Sequence, residues 1–438
     1  MDIFKLKQNN TNVKTEIYAG IASFLAMIYI IPVNANIVSN SGMSFEALII
    51  ATALVTIIAT TISAFFSNTP VAMSVGMGLN AYFTFSVCLT YKIPWQIALG
   101  AVFISGIIFT LLSFTNFRVW IVRNIPQDLR KAISVGVGIF ISFIGLQQMG
   151  VIVQNKETLV GLGNINDSKV WFSLFSLALV CAFWAWKIKG AFVLSIALST
   201  IIAWTFNING ANFPNAIFSL PNFSGENGLS SIFGQLDIKG ALSIAMIPII
   251  MTFFVTQLFD SIGTITGVGA RANLFDGKEG EKKMGKTLAA DASSSALGAI
   301  FGTSTVTAFI ESSAGVESGG RTGLTSLVCA ICFIFTLFLL PLFQAIPSMC
   351  IYPILVLVGI LMFMEVKTID FKNEAIAVAT FFIVIMMPLT YSITTGIAFG
   401  FIAYLFMLII KKEFEKINFG VITLGIFSSL VFLLEILK

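Results

Sequence analysis

The chain has 438 residues, of which 57% are hydrophobic and only 11% charged, with a formal net charge of +4. Soluble proteins carry about 25% charged residues, so this chain cannot cover a globule of its own size with polar surface, and most of its exterior must face lipid. Continuous apolar runs of about 20 residues, the length that crosses ~30 Å of hydrocarbon, exclude the alternating strands of a barrel and predict an all-α integral membrane protein.

Residue inventory excludes more. There is no histidine, so imidazole serves neither as a metal ligand nor as a proton relay. No metal site and no cofactor are expected. Cys88, Cys181, Cys329, Cys332 and Cys350 sit in or beside apolar segments and read as small buried hydrophobes. The start, MDIFKLKQNNTNVK, has no apolar signal-peptide core.

In chain order the predicted spans are 16–36, 44–66, 69–89, 95–116, 132–153, 170–187, 190–207, 242–266, 285–301, 303–318, 322–344, 349–366, 373–391 and 394–411, fourteen in all. A further apolar run, 418–437, fits either a fifteenth span or an interfacial helix. The basic residues test this parse, because cytoplasmic loops carry the excess of Lys and Arg. With a cytoplasmic start, the inside loops hold Lys5, Lys7, Lys14, Arg118, Arg123, Arg130, Lys131, Lys187, Lys189, Arg271, Lys278, Lys282, Lys283, Lys286, Arg321, Lys367, Lys372, Lys411, Lys412 and Lys416. The outside loops hold only Lys92, Lys156, Lys169 and Lys239. That asymmetry, with Lys438 set aside, puts both ends of the fourteen spans in the cytoplasm. Phe117–Lys131 mixes Arg with Trp and Ile and reads as a short interfacial helix.

The Asn-, Gly- and Pro-rich loop 208–241 divides the spans seven and seven. An odd number per half gives the halves opposite orientations, the arithmetic of an inverted repeat. Spans 3 and 10 are short and interrupted: the first contains SVGMGLNAYF, the other GTSTVTAFIESSAG. Such segments at matching positions point to a transporter's binding site. Half-helices starting near Gly78 and Ser312 would aim N–H groups at the midplane.

Three carboxylates are deep: Asp260, Asp291 and Glu311. An ionised carboxylate in lipid costs about 2.5 kcal/mol or more, so these residues face a cavity, pair, or carry protons. All three are candidates for proton coupling. Asp291 lies in a serine run able to satisfy it locally. Glu317 and Arg321 are spaced as an ion pair on one helix face. The site then offers carboxylates, the amides of Asn34, Asn80 and Gln257, and the rings of Tyr82, Phe259 and Phe309, with no fixed cation. A planar neutral heterocycle with N–H donors suits that set, as do other uncharged polar solutes.

At these residues the sequence resembles the AzgA-like purine permeases, guanine/hypoxanthine and adenine permeases of the nucleobase:cation symporter (nucleobase–ascorbate transporter) superfamily. The matching motifs are AGIASFLAMIYIIPVN (19–34), GMGLNAYF (76–83), ALGAVFISGIIF (98–109), FDSIGT (259–264) and GTSTVTAFIESSAGVESGGRTGLT (302–325). The resemblance implies a core domain (16–116 and 242–344) and a gate domain (117–207 and 345–411), with 1–15 a cytoplasmic N-terminus, 208–241 an extracytoplasmic loop and 412–438 an apolar tail. It implies a purine site between spans 3, 8 and 10. Asn80, Asp260 and Glu311 fall on the family's binding positions, and Gly78 on the glycine that opens the span-3 half-helix. Departures are Gln257, where an acid is frequent, Ser261, FLAM in span 1 and the position of Pro32.

The expected function is import of hypoxanthine, guanine or adenine across the cytoplasmic (inner) membrane by symport, with H+ the expected ion and Na+ the alternative. The expected substrate-binding set is Gly78, Asn80, Gln257, Asp260, Phe309 and Glu311. The lipid bilayer, a purine base and, as an open option, a second copy of the chain are the partners; nucleic acid is not. No reaction on the substrate is expected. An anion or other small-solute permease of the same fold is the main alternative, and it calls for a cation at the span-10 half-helix. An intramembrane enzyme and a channel are the others.

Overall fold

Pro32 shapes the first span. It has no N–H to offer the carbonyl four residues back, and its ring crowds that carbonyl. The helix accordingly breaks at Ile28 and Tyr29, between α1 (Val13–Met27) and α2 (Ile30–Val38). The computed structural model describes residues 3–115, 126–188, 190–275 and 277–436, and these are predominantly helical.

Ser44 caps α3 (Phe45–Ser67) by accepting the Ala47 N–H. The chain then runs extended through β1 (Met73–Val75) into α4 (Met77–Ala81), which widens into a π-helix at Tyr82–Thr90. Next come α5 (Trp95–Ser113), α6 (Gln127–Gln148), the hairpin β2 (Ile152–Asn155) and β3 (Leu159–Leu162), α7 (Ser168–Ala185) and α8 (Ala191–Thr205). After the long loop and the single turn α9 (Ile238–Ala241) follow α10 (Ile247–Ala270) and α11 (Gly277–Ile300). Extended chain returns at β4 (Val306–Ala308), continues into α12 (Ser312–Glu317) and then α13 (Gly323–Thr336) and α14 (Leu340–Gln344). The chain closes with α15 (Ser348–Phe363), α16 (Glu374–Thr390), α17 (Ile393–Ile410) and α18 (Phe419–Ile436), which packs on α17.

Eight of these segments, among the described residues, are long and apolar enough to cross a membrane: 13–41, 45–67, 95–113, 127–148, 168–185, 244–270, 348–368 and 393–410. Three shorter apolar helices, α8, α13 and α16, join them. The only sheets among the described residues are two-stranded, so no barrel closes.

Three sequence expectations change. Spans 3 and 10 each begin as a strand, and β1 pairs antiparallel with β4, Ser74 opposite Thr307. Non-helical backbone at membrane depth must be satisfied within the protein, and each strand supplies the other's partners. The fifth span ends at Gln148 instead of residue 153, because Gly150 takes a positive φ of 77° and turns the chain into the exposed hairpin. The interfacial helix expected over 117–131 lies outside the described residues up to 125; its remainder, from Gln127, belongs to α6.

Packing falls into two groups. Helices α1, α3, α5, α10, α11 and α13 pack among themselves, and α6, α7, α15, α16 and α17 do likewise. The strand pair lies within the first group, against α3, α10 and α11.

Candidate functional site

The β1–β4 pair holds the ends of two short helices near one another, and α10 packs against β4, α4 and α12. Phe309 donates its N–H to Ala72 at 3.0 Å, and Ala72 donates to the Ser312 hydroxyl at 3.0 Å, extending the crossing beyond the strands. Glu311 stands immediately before α12, and Asp260 lies on α10, which packs against α12. Both are only partly buried.

No described cation pairs with either carboxylate. Among the described residues no hydrogen bond reaches the Asp260 carboxylate. Glu311 accepts the Tyr29 hydroxyl at 2.5 Å. Tyr29 is carried there by the Pro32 break and was not foreseen from the sequence, where it reads as one more apolar residue of span 1. Asp260 heads an accessible stripe on α10 made of Gly263, Thr264, Gly267, Ala270 and Arg271, at three- and four-residue spacing. Such a small, polar face suits a water-filled cleft better than lipid. Arg271 closes the stripe by pairing with Glu317.

That pair corrects an expectation. Glu317 does not pair with Arg321. The last turn of α12 ends at Glu317, and Gly319, with a φ of 101°, throws Arg321 off the helix face. Its guanidinium donates instead to the carbonyls of Val316 and Gly320, both at 2.7 Å.

The remaining expected site residues separate by environment. Asn80 is fully buried; its Nδ2 donates to Asn34 Oδ1, and its own Oδ1 has no partner. Asn34 in turn donates to Thr52 Oγ1 at 2.7 Å and Thr303 Oγ1 at 3.1 Å. Gln257 donates to the Val306 carbonyl at 3.1 Å and keeps Oε1 unpaired and buried. Both amides thus tie α4 and β4 in place and retain one acceptor each. Gly78 fits helix packing: a Cβ there would lie 2.7 Å from Val137 Cγ1 on α6. Phe309 is buried beside Glu311. Tyr82 is engaged elsewhere, its hydroxyl 2.7 Å from that of Thr394 on α17.

Asp291 is wholly buried. It accepts the Ser261 hydroxyl and, at 2.5 Å, the backbone N–H of Ala308. The serines of its own run are not its partners. A second buried carboxylate escaped the sequence reading. Glu16 accepts the N–H groups of Arg321, Thr322 and Thr325 and the hydroxyls of both threonines, capping α13 from another helix. In sequence it looks like an ordinary helix-end acid.

The sequence profile of the Permease family matches residues 14–433, nearly the whole chain. This chain belongs to that family. It is a multi-pass membrane protein of a family of permeases, not of enzymes. Its relatives include a putative permease, MJ0326, of Methanocaldococcus jannaschii, 40% identical over 98% of this chain and 97% of its own. The adenine permease AdeP of Escherichia coli is 36% identical over 99% of this chain and 95% of its own. The guanine/hypoxanthine permease PbuO of Bacillus subtilis is 36% identical over 97% and 98%. In structure the permease resembles the transmembrane domain of the cyanobacterial bicarbonate transporter BicA, with a TM-score of 0.59, 14% identity and coverage of 84% of this chain and 97% of that one. It also resembles SLC26A9, with a TM-score of 0.66, 10% identity and coverage of 93% and 66%. At those identities the likeness is one of fold alone.

Proposed function

We propose that this permease is a secondary active importer of purine nucleobases, hypoxanthine, guanine and adenine, in the cytoplasmic membrane. The observation that carries the reading is the placement of Asp260 and Glu311, two carboxylates without a cationic partner among the described residues, where α10 meets the β4–α12 junction. Carboxylates accept from ring N–H groups, and a site with no cation paired to them among the described residues disfavours an anion. The names of the E. coli and B. subtilis relatives supply the substrate class.

Asp260 and Glu311 bind the base in this proposal, and one of them carries the coupling proton; Na+ is the alternative ion. Asn80 and Gln257 hold the two half-helices that frame the base, with Phe309 beside it. Asp291, saturated by Ser261 and Ala308, belongs to the framework rather than to the proton path. The further architecture is fourteen spans in two inverted sevens with a cytoplasmic N-terminus. The antiparallel pairing of the third and tenth segments supports that symmetry. The two packing groups support a core (16–116 and 242–344) that moves against a gate (117–207 and 345–411) around a fixed midplane site.

The test is uptake of radiolabelled hypoxanthine, guanine and adenine by cells that lack purine uptake and express this chain. Accumulation should collapse with a proton uncoupler and persist without sodium. Failure of all three bases to accumulate rejects the purine reading.

A further inference from the structure

One oxygen of Glu311 already has a partner within the protein. Its Oε1 accepts the Tyr29 hydroxyl at 2.5 Å. Tyr29 is seated firmly for this task. It is 2% exposed, it sits in the break that Pro32 imposes between α1 and α2, and its ring lies 4.8 Å from that of Phe192 on α8. Phe192 belongs to a helix outside the packing group of α1. The hydroxyl therefore arrives from a fixed side chain held from two sides.

A carboxylate with both oxygens free pairs with two parallel donors, and a donor already seated on one oxygen competes with the second of them and weakens that pairing. Purine bases differ in this respect. Guanine carries adjacent donors, its N1–H and its 2-amino group, on one edge. Hypoxanthine carries the same N1–H without the amino group.

We propose that Tyr29 is a specificity-determining residue: by donating to one oxygen of Glu311 it competes with the second of two parallel ligand donors, which levels guanine with hypoxanthine. The proposal rests on the purine reading above and on Glu311 as a substrate acceptor. It assigns the hydroxyl, rather than the ring, as the discriminating group. The ring and its contact with Phe192 serve as the seat.

The test is equilibrium binding of tritiated guanine and tritiated hypoxanthine to the purified full-length protein and to Tyr29→Phe, which keeps the ring and removes the hydroxyl. Freeing the second oxygen should raise the hypoxanthine-to-guanine Kd ratio about tenfold, the scale of one added hydrogen bond to a charged group. An unchanged ratio overturns the proposal, and so does equal weakening of both bases, which would make Tyr29 a structural support. If Tyr29→Phe is not recovered as a folded protein, Phe192→Leu decides. It keeps the hydroxyl and loosens its seat, and the ratio should move in the same direction by a smaller factor; no movement overturns the idea. If the unmodified protein binds neither base, the purine reading itself fails and takes this assignment with it, an outcome distinct from two bases bound with an unmoved ratio.

Discussion

The carboxylate of Asp291 on α11 accepts the backbone N–H of Ala308 in β4 at 2.5 Å. Its other oxygen accepts the hydroxyl of Ser261, one residue past Asp260 on α10. A single buried side chain thus fixes the strand leading to Glu311 against the helix bearing Asp260. Asp291→Asn leaves one acceptor for two donors. An unpaired buried donor costs about 1–3 kcal/mol. Melting of the detergent-purified variant should drop accordingly, with hypoxanthine binding per folded molecule little changed. Normal melting combined with lost uptake would instead assign Asp291 to coupling.

Glu16 is the second prediction. It joins the first helix to the start of α13 through three N–H groups and two hydroxyls. Glu16→Ala orphans all of them inside the protein and should cost about 3 kcal/mol or more. Glu16→Gln keeps one acceptor oxygen and should fall between the variant and the unmodified chain. Melting and expression yield measure both. The ratio of affinities among bases should not move, since Glu16 bonds only to the α13 start.

How much of this was legible in the sequence depends on the range of the interaction. The helical membrane character was legible because hydrophobicity is a local sum: eight described segments are long and apolar enough to cross a membrane, and three shorter apolar helices join them. Asp260 and Glu311 stand out in the sequence because each is a charge set within an apolar or small-residue stretch. The strands were not legible, since Met73–Val75 and Val306–Ala308 are extended only because each finds the other more than 200 residues away. Tyr29 was hidden for the same reason, its partner Glu311 being 282 residues distant. Arg321 misled because its spacing from Glu317 assumes a helix that Gly319 ends.

The carboxylates carry the third prediction. Glu311→Gln and Asp260→Asn preserve shape and remove charge. Each should abolish accumulation of labelled hypoxanthine while the protein still reaches the membrane, measured by uptake alongside surface quantification. Neither carboxylate has a described ion-pair partner to orphan, so melting should fall little and could even rise. Full uptake by either variant removes that residue from the mechanism.

Gly78 and Val137 carry the last prediction. A Cβ at Gly78 would stand 2.7 Å from Val137 Cγ1, closer than real Cβ contacts come. The contact joins α4, in the proposed core, to α6, in the proposed gate. Overpacking there forces the two helices apart or locks them, at a cost of about 1–3 kcal/mol. If the core moves against the gate in each cycle, Gly78→Ala should slow turnover more than it weakens binding: Vmax for hypoxanthine should fall severalfold while Kd moves little. Val137→Ala removes the clashing methyl groups. The double variant should therefore recover much of the lost rate, a coupling between neighbours that additivity does not give. Loss of Kd instead of Vmax, with no rescue by Val137→Ala, would place Gly78 in contact with the base, where the family resemblance puts it, and not at the moving surface.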